Sequence, residues 1–434
     1  MLLKQKPKPI CFYRLEIIHF RIISGTTAIT EFLMQACSGS REEALVLLNS
    51  FLPKAGKSYA ENRNFDLGSG QHKHVSQLSA YIKRRVITEE EVLRTVLSAH
   101  SLNAAGKFID EIFWRTYFKG WLESRPHIWA QYCTDVQHLT HDLQTQSGLR
   151  DRWAAACLGE TGIDCFDAWA KELAETGYLH NHARMWFASI WVYTLQLPWQ
   201  LGADFFLRHL LDGDAASNTL SWRWVVGLHS VGKTYLARAE NIQRFTNGRF
   251  APKGLAQVAP PLNDTAHTTR PKTIDPPNRY LDGHKTGFLL HSEDLNIAHL
   301  THHSDCIASA VYRPIDTDTM LVSSPKLLEF NNATLDAAAK HWKPNLLNCS
   351  DVDTLEAILS WALENKLEQI ITPYAPVGST SQMLEKMKSL LGNHGIQLTQ
   401  VMRAYDIVSW PYATKGFFKF REKIPKILTS LSMI

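Results

Sequence analysis

The sequence lacks the cysteine patterns of zinc fingers and of disulfide-stapled proteins. Its seven cysteines are scattered, with no C-x-x-C pair and no histidine partner at zinc-finger spacing. We therefore expect reduced thiols, a cytoplasmic location and no bound metal. A long apolar run is also missing, because the stretch ICFYRLEIIHFRII at residues 10–23 contains charged residues and is too short to span a bilayer. We expect no membrane contact, and this stretch makes a poor secretory signal although three lysines precede it.

The sequence also lacks a large excess of charge of either sign. Lysine and arginine number 46 against 42 acidic residues, so the formal charge is only +4 over 434 residues. This excess is too small to indicate a nucleic-acid partner by itself, although basic residues clustered on one face would still allow one. The hydrophobic fraction of 45% is typical of a globular protein, and the length predicts two or three domains.

Tryptophan, by contrast, is abundant and unevenly placed: ten of the 13 tryptophans lie between Trp114 and Trp224. From about residue 30 to 250, apolar residues recur three and four apart, which predicts helices. Beyond a Pro- and Thr-rich stretch, short apolar runs alternate with helical stretches, the pattern of βαβ units around a parallel sheet. We predict an α plus α/β protein with an N-terminal extension (1–39), an all-helical domain (40–250), a linker (251–286) and a Rossmann-like α/β domain (287–434).

The richest segment, residues 176–224, resembles the FAD-binding half of the photolyase and cryptochrome family. It follows the pattern TGW-x-HN-x-x-RM, then a Trp, then DGD-x-x-x-N-x-x-x-W-x-W, with Tyr178 replacing the first Trp. Two upstream segments are also similar to the family: DEIFWRTYF, through Glu111, Trp114 and Arg115, and VSQLSAYI, which keeps its serines but has Val75 and Ala80 in place of Thr and Pro. The resemblance covers about residues 40 to 250.

The resemblance implies FAD as the cofactor. Hydroxyls and guanidinium groups suit its diphosphate, and an amide at Asn218 would face the reactive ring nitrogen of the flavin. A structural interpretation of the same residues remains open, in which the aspartates cap a helix and the tryptophans fill a core. The residues implied to bind FAD are Ser76, Leu78, Ser79, Arg115, Asn181, Arg184, Asp212, Asp214 and Asn218.

The resemblance also implies light-dependent repair of cyclobutane pyrimidine dimers in UV-damaged DNA. Two aromatic faces would stack a flipped lesion, and the carboxyl group of Glu111 would hydrogen-bond it. The implied substrate residues are Glu111, Trp114, Asn181, Met185 and Trp224, and the implied catalytic residues are Glu111, Asn218, Trp222 and Trp199. A blue-light photoreceptor without repair activity remains the alternative.

The tryptophan electron chain of the family is incomplete here. Trp222 and Trp199 match its two inner positions, but the outer position falls in VQHLTHDL, which has no tryptophan. Trp186, Trp191 or Tyr193 could substitute for it.

The α/β segment resembles the antenna domain that precedes the flavin domain in relatives, so we infer the same two domains in exchanged order. Asp294 and Leu295 match the family's first loop, whereas its arginines are replaced. An antenna chromophore and an inert domain both remain open. We expect a monomer that contacts DNA through basic residues around the pocket, the candidates being Lys119, Arg125, His182, Lys233, Arg238, Arg244 and Arg249.

The stretch GLHSVGKT at residues 227–234 matches the phosphate-binding P-loop pattern. Its flanks could be a buried strand, WRWVV, and a helix, which would favour a nucleotide hydrolase. No acidic residue closes an apolar strand downstream to hold Mg²⁺, however. We therefore interpret the stretch as a loop, with Gly227 as a turn glycine and Lys233 near the DNA-facing rim.

Overall fold

The structure, a computed structural model, describes residues 38–263, 271–274, 280–301, 306–314 and 321–434. The predicted N-terminal extension, apart from Ser38 and Gly39, and parts of the predicted linker lie outside the described residues. Residues 38–434 form one compact unit. Within the described ranges, no helix combines the length and the apolar character needed to cross a bilayer.

The first part of the described chain is helical. Several helices begin at side-chain caps: Thr88 and Glu91 form a reciprocal capping box, and Asp214 accepts from the main chain of Ser217. The α-helices of this part are α1 (Arg41–Phe51), α2 (Lys57–Asn62), α3 (Ser79–Lys83), α4 (Glu89–Ala99), α5 (Gly106–Glu123), α6 (Pro126–Thr145), α7 (Ser147–Leu158), α8 (Asp164–Thr176), α9 (Asn181–Ser189), α10 (Trp199–His209), α11 (Ala215–Val225) and α12 (Ala239–Phe245).

Buried tryptophans fill the core of the helical part, and one glycine makes their packing possible. Gly202 on α10 lies against two indole rings, so a Cβ atom there would stand 2.3 Å from the Trp222 ring and 2.9 Å from the Trp191 ring. Such distances are impossible without moving a helix. The tryptophan-rich sequence between Trp114 and Trp224 therefore specifies a close approach of α10 and α11.

A five-stranded parallel sheet forms the second part. Its strands are β1 (Thr286–Leu290), β2 (Cys306–Tyr312), β3 (Cys349–Val352), β4 (Gln369–Pro373) and β5 (Gln397–Val401), in the order β3-β2-β1-β4-β5. The helices that connect or follow the strands are α13 (Pro325–His341), α14 (Leu355–Glu364), α15 (Ser379–Gly392), α16 (Ala404–Ser409), α17 (Phe417–Arg421) and α18 (Ile424–Ser430). Two of the three interior strands, β1 and β4, are wholly buried, as is typical of parallel sheets. The predicted α plus α/β class is confirmed.

Residues 251–263 of the predicted linker lie along the helical part without regular structure. The main chain of Leu262 donates to the carbonyl of Val226 at 3.0 Å, and the hydroxyl of Thr234 donates to the carbonyl of Ala259 at 2.8 Å. The described part of the linker is thus tied to the end of α11.

A buried charge network joins the helical and α/β parts. Arg85 donates to Asp406 at 2.7 Å, to Asp294 at 3.2 Å and to Glu89 at 3.3 Å, and Arg403 donates to Asp294 at 2.7 Å. Burial alone would lower the pKa of Arg85, but the carboxylates raise it well above its ordinary value. Arg85 also has a φ of 51°, which is unusual for a residue with a Cβ atom. These ion pairs hold the backbone in that conformation.

We expect Arg85→Met to lower the free energy of unfolding by about 3–5 kcal/mol, because the variant leaves Glu89 and Asp406 buried without their cation, whereas Asp294 keeps Arg403. Chemical denaturation measures the change. Lys57→Met is the matched control, because the pair that Lys57 forms with Glu61 is exposed to solvent and long, at 3.7 Å, and therefore contributes little stability. Equal stability of the two variants would contradict the role given to the network.

Glu123, the last residue of α5, forms a second link to the α/β part. Its carboxylate accepts from the hydroxyl of Tyr374 at 2.8 Å and from the main chain of Val377. Burial raises the pKa of Glu123 from 4.5 to about 7, against the lowering effect of these hydrogen bonds. The folded protein therefore holds a proton on Glu123 where the unfolded chain has lost it.

This pKa shift predicts a pH dependence of stability. Between the unfolded pKa near 4.5 and the folded pKa of about 7, the folded state binds more protons, so the free energy of unfolding falls as the pH rises. We expect Glu123→Gln to flatten this part of the profile in denaturation curves measured from about pH 5 to about pH 8. Glu61→Gln, an exposed control, should keep the slope of the parent protein. If the stability of Glu123→Gln changed with pH as steeply as that of the parent protein, the raised pKa of Glu123 would be contradicted.

Candidate cofactor and substrate site

The helical part encloses a cavity of about 580 Å³, here called the cofactor cavity. This volume is within the range of small-molecule and cofactor sites. Except for Trp199, all the residues predicted to bind FAD, to bind substrate or to act in catalysis line it, namely Ser76, Leu78, Ser79, Glu111, Trp114, Arg115, Asn181, Arg184, Met185, Asp212, Asp214, Asn218, Trp222 and Trp224. Tertiary structure thus brings together three sequence segments that lie far apart. The individual roles of these residues stay predictions.

Two charged aspartates stand at the start of α11. Asp214 accepts from the main chain of Ser217 at 2.7 Å and pairs with the buried Lys119 at 3.2 Å. Asp212 pairs with Arg184 through two contacts of 3.1 and 3.0 Å. Although burial opposes it, Lys119 and Arg115 lower the pKa of Asp214, so this carboxyl group is ionised at neutral pH. The capping interpretation is therefore correct for Asp214, but this residue also lines the cavity.

Several buried donors in the cavity wall have no hydrogen-bond partner within the protein. These are Nη1 of Arg115, Oγ of Ser217 and Nε1 of Trp222. Buried polar groups are normally satisfied, so these donors indicate a polar ligand. A guanidinium and hydroxyls beside ionised carboxylates suit a molecule that carries both phosphates and hydroxyl groups. The residues present therefore fit a dinucleotide such as FAD.

Asn218 lines the same cavity with a defined orientation. Its amide nitrogen donates to the carbonyl of Ala203 at 2.8 Å. This bond uses the donor end of the side chain and leaves Oδ1 as the group that Asn218 can offer to the cavity. An uncharged acceptor at this position would suit a protonated ring nitrogen.

Glu111 and Trp114, the predicted substrate residues on α5, are both in contact with other parts of the chain. Glu111 pairs with Arg63 at 3.1 Å, and burial raises its pKa although Arg63 opposes the shift. The Trp114 ring stacks on Phe417 of α17, with centroids 3.7 Å apart and planes 11° apart. No prediction placed Phe417 beside Trp114, because Phe417 lies in the α/β part and meets Trp114 only in the folded chain.

Trp199 lies outside the cofactor cavity, with other aromatic rings next to it. Its ring stacks on Tyr132 at 5.7 Å, and Tyr132 in turn contacts Trp129 at 5.2 Å. Trp222 has Trp191 as a ring neighbour at 6.2 Å. Of the three residues that could replace the outer tryptophan, Trp191 has its ring next to that of Trp222. The sequence analysis did not predict the row of rings from Trp199 through Tyr132 to Trp129.

The stretch GLHSVGKT does not have the context of a phosphate-binding P-loop. The preceding WRWVV is the end of α11 and its cap, not a strand. The loop amides are used internally, since Gly232 donates to the carbonyl of Gly227 at 3.0 Å and Lys233 to that of Ser230 at 2.9 Å. Gly227 has a φ of 79°, as a turn glycine does. The rejection of a nucleotide hydrolase is supported on geometric grounds.

This loop instead lines a second cavity of about 760 Å³, here called the basic cavity. It shares Trp114 and Trp224 with the cofactor cavity. Its cationic and aromatic lining consists of Trp114, Tyr117, Trp121, Arg125, Trp224, His229, Lys233, Lys415, Phe417 and Phe418. Arg125 and Lys233 were expected near the pocket, whereas the contribution of Lys415 was not.

One predicted DNA contact is wrong. Lys119 was placed among the basic residues of the pocket rim, but its side chain is only 2% exposed and pairs with Asp214. Its position on α5, one helical turn beyond Arg115, points it into the protein. Arg238, Arg244 and Arg249 are exposed, as a DNA contact requires.

Comparison with known proteins agrees with this geometry. Residues 108–254 match the model of the FAD binding domain of DNA photolyase. Deoxyribodipyrimidine photo-lyase of Alkalihalophilus pseudofirmus is 29% identical over 189 residues, covering 43% of this chain and 38% of that protein. The Neurospora crassa enzyme of the same name is 31% identical over 188 residues (42% and 29% covered), and that of Thermus thermophilus is 32% identical over 193 residues (43% and 42% covered).

Two solved structures are also similar. A cryptochrome of Synechocystis sp. PCC6803 has a TM-score of 0.41 and 20% identity, covering 48% of this chain and 43% of that one. A class III photolyase of Agrobacterium tumefaciens has a TM-score of 0.37 and 24% identity, with the same coverage. The matched part of the chain spans less than half the length of the curated relatives.

The helical part is therefore a FAD-binding domain of the photolyase type, and FAD is its cofactor. Through residues 108–254 the chain is similar to the photolyase and cryptochrome family.

We expect Arg184→Ala to weaken FAD binding about 10- to 100-fold, because Asp212 loses a charge-assisted partner inside the cofactor cavity. Flavin absorbance per chain after dialysis, followed by fluorescence titration, measures the loss. Arg244→Ala is the control, since Arg244 is exposed and absent from the cavity wall. Full flavin retention in a folded Arg184→Ala variant would contradict this assignment.

Proposed function

We propose that this protein uses light and bound FAD to split cyclobutane pyrimidine dimers in UV-damaged DNA. One observation carries the proposal: the residues expected to face FAD and those expected to face a pyrimidine dimer line a single cavity. The printed names of the curated relatives support the same activity. In this assignment Glu111, Asn218, Trp222 and Trp199 are the catalytic residues, and Trp114, Asn181, Met185 and Trp224 complete the substrate pocket.

On the cofactor side, bound and reduced FAD supplies the electron that light makes available. Asn218 offers an acceptor to the ring because its amide nitrogen is held by Ala203. Asp212 is kept in place by Arg184, and Asp214 by Lys119. These contacts orient the polar groups before the cofactor binds, which lowers the entropic cost of binding.

On the substrate side, Trp114 and Trp224 offer indole faces to bases flipped out of the duplex. A damaged pair is cheaper to unstack than an intact one, which favours the lesion. Burial raises the pKa of Glu111, although Arg63 opposes the shift. When it is protonated, this carboxyl group can donate a hydrogen bond to a carbonyl of the dimer. Such a bond strengthens as negative charge develops on that carbonyl.

The basic cavity suits the DNA strand beside the lesion. Arg125, Lys233 and Lys415 would neutralise phosphates, and the exposed Phe418 offers apolar contact to sugars and bases. Because phosphate contacts release counterions, affinity for damaged DNA should fall as the salt concentration rises.

The exchanged order of the two domains remains part of the proposal. The α/β part, whose first strand is β1, follows the flavin domain in the chain and contacts it through Arg85, Glu123 and Phe417. An antenna role for this part has no support among its described residues. A monomer in the cytoplasm is the expected form.

A photoreceptor without repair activity is the second candidate, and two contacts favour it. Arg63 pairs with Glu111, and Phe417 covers one face of Trp114, so both groups are already occupied within the chain. A dimer would have to compete with these contacts. In a photoreceptor no dimer binds, so the Arg63–Glu111 pair and the Phe417–Trp114 stack would stay in place.

Repair of dimer-containing oligonucleotides under blue light distinguishes the two functions. We expect repair by the parent protein, and a reduction of about 10- to 100-fold for Glu111→Ala, since one hydrogen bond to a developing charge is lost. FAD content should not change. Glu61→Ala on α2 is the control, because Glu61 is exposed and outside the cavity.

Two results would contradict the proposal. Absence of repair by flavin-loaded parent protein would favour the photoreceptor. Unchanged repair by Glu111→Ala would remove Glu111 from the substrate pocket.

A further inference from the structure

Three buried side chains outside the flavin and substrate residues form a cluster of metal-ligand type. Asp66 and His72 lie in the loop between α2 and α3, and Glu172 lies on α8. One potential ligand atom of each residue lies within 4.8 Å of the other two. Their exposed fractions are 0%, 5% and 7%. The cluster is spread over more than one hundred positions of sequence, which explains why no spacing motif indicated it.

The charge of the cluster is poorly balanced by the protein. Two carboxylates are buried close together, and burying such charges is costly without a cation. Arg249 is 3.7 Å from Asp66 and a third of its side chain is exposed, while His72 contacts Glu172 at 2.9 Å. A divalent ion between the carboxylates would compensate both.

A buried imidazole nitrogen points to the same conclusion. Nδ1 of His72 has no hydrogen-bond partner, although the ring is almost wholly buried. The ring of His180 stacks on that of His72, with centroids 5.8 Å apart, and limits the orientations that the His72 ring can take.

The carboxylate of Asp66 is also held in one orientation. It accepts from the indole of Trp169 at 2.9 Å and from the main chain of Gly68 at 3.1 Å. Hydrogen bonds of this kind orient ligands in established metal sites.

We propose that Asp66, His72 and Glu172 bind a divalent transition-metal ion, of which zinc is the best match. Imidazole nitrogen and carboxylate oxygen are ligands that zinc accepts at about 2.0–2.2 Å. Small rotations of the side chains close the cluster around an ion of this size.

The ion would support the wall of the cofactor cavity. The loop that holds Asp66 and His72 runs directly into Ser76 and Ser79, and Tyr178, which lines the cavity, contacts the His72 ring at 4.8 Å. A metal here is structural: it ties this loop to α8 and so fixes the turn expected to hold the phosphates of FAD.

Metal analysis of the full-length protein tests the proposal. Protein from zinc-supplemented cells, purified without chelator, should contain about one zinc per chain by mass spectrometry. His72→Ala and Glu172→Gln should reduce the content to background. His138→Ala, an exposed histidine on α6, should keep it. The measurement does not depend on DNA repair, so failure of the proposed function would leave it intact.

A second measurement covers variants that fail to fold. After dialysis against chelator, zinc should raise the thermal midpoint of the parent protein by several degrees, because an ion that binds the folded state more tightly than the unfolded chain stabilises the fold. Magnesium should not, because it prefers oxygen ligands alone. Flavin retention should follow the zinc content. Parent protein that carries no zinc and shows no thermal response to it would overturn the proposal.

Discussion

A row of four ionisable side chains along one face of α5 is the constraint on which the rest of the structure depends. Glu111, Arg115, Lys119 and Glu123 are spaced four residues apart, so they form one row along the helix. Glu111 pairs with Arg63, Arg115 lines the cofactor cavity, Lys119 pairs with Asp214 and Glu123 accepts from Tyr374. Because polar groups removed from water require partners, this row restricts the position of α5 relative to the elements that supply those partners.

The same requirement joins the two parts of the chain. Arg85 and Arg403 bring Asp294 and Asp406 of the α/β part against the helical part. Phe417 of the α/β part stacks on Trp114. Ion pairs of this kind are costly to break although they add little stability over an apolar contact. Their effect is specificity: only one arrangement of the two parts satisfies all the buried carboxylates.

Most of the fold and the set of cavity residues could be predicted from the sequence, because both depend on local order. Apolar spacing located the helices, and the motif around Asp212 and Asn218 located the cofactor wall. Predictions failed where a residue acts through a distant neighbour. Lys119 was expected at the surface but is buried by its pairing with Asp214, and Phe417 was not expected near Trp114 at all. Periodicity shows which face of a helix is apolar, but not which segment packs against it.

Apolar spacing along the sequence determined the α plus α/β class, and the resemblance to a known family indicated FAD and the residue types of the site. Tertiary structure alone decided which charges are buried, how Arg63 and Phe417 contact Glu111 and Trp114, and that Asp66, His72 and Glu172 meet beside the turn expected to hold phosphates. The physical reason is that desolvation and ion pairing depend on distances through space. Those distances are established only when the whole chain has packed.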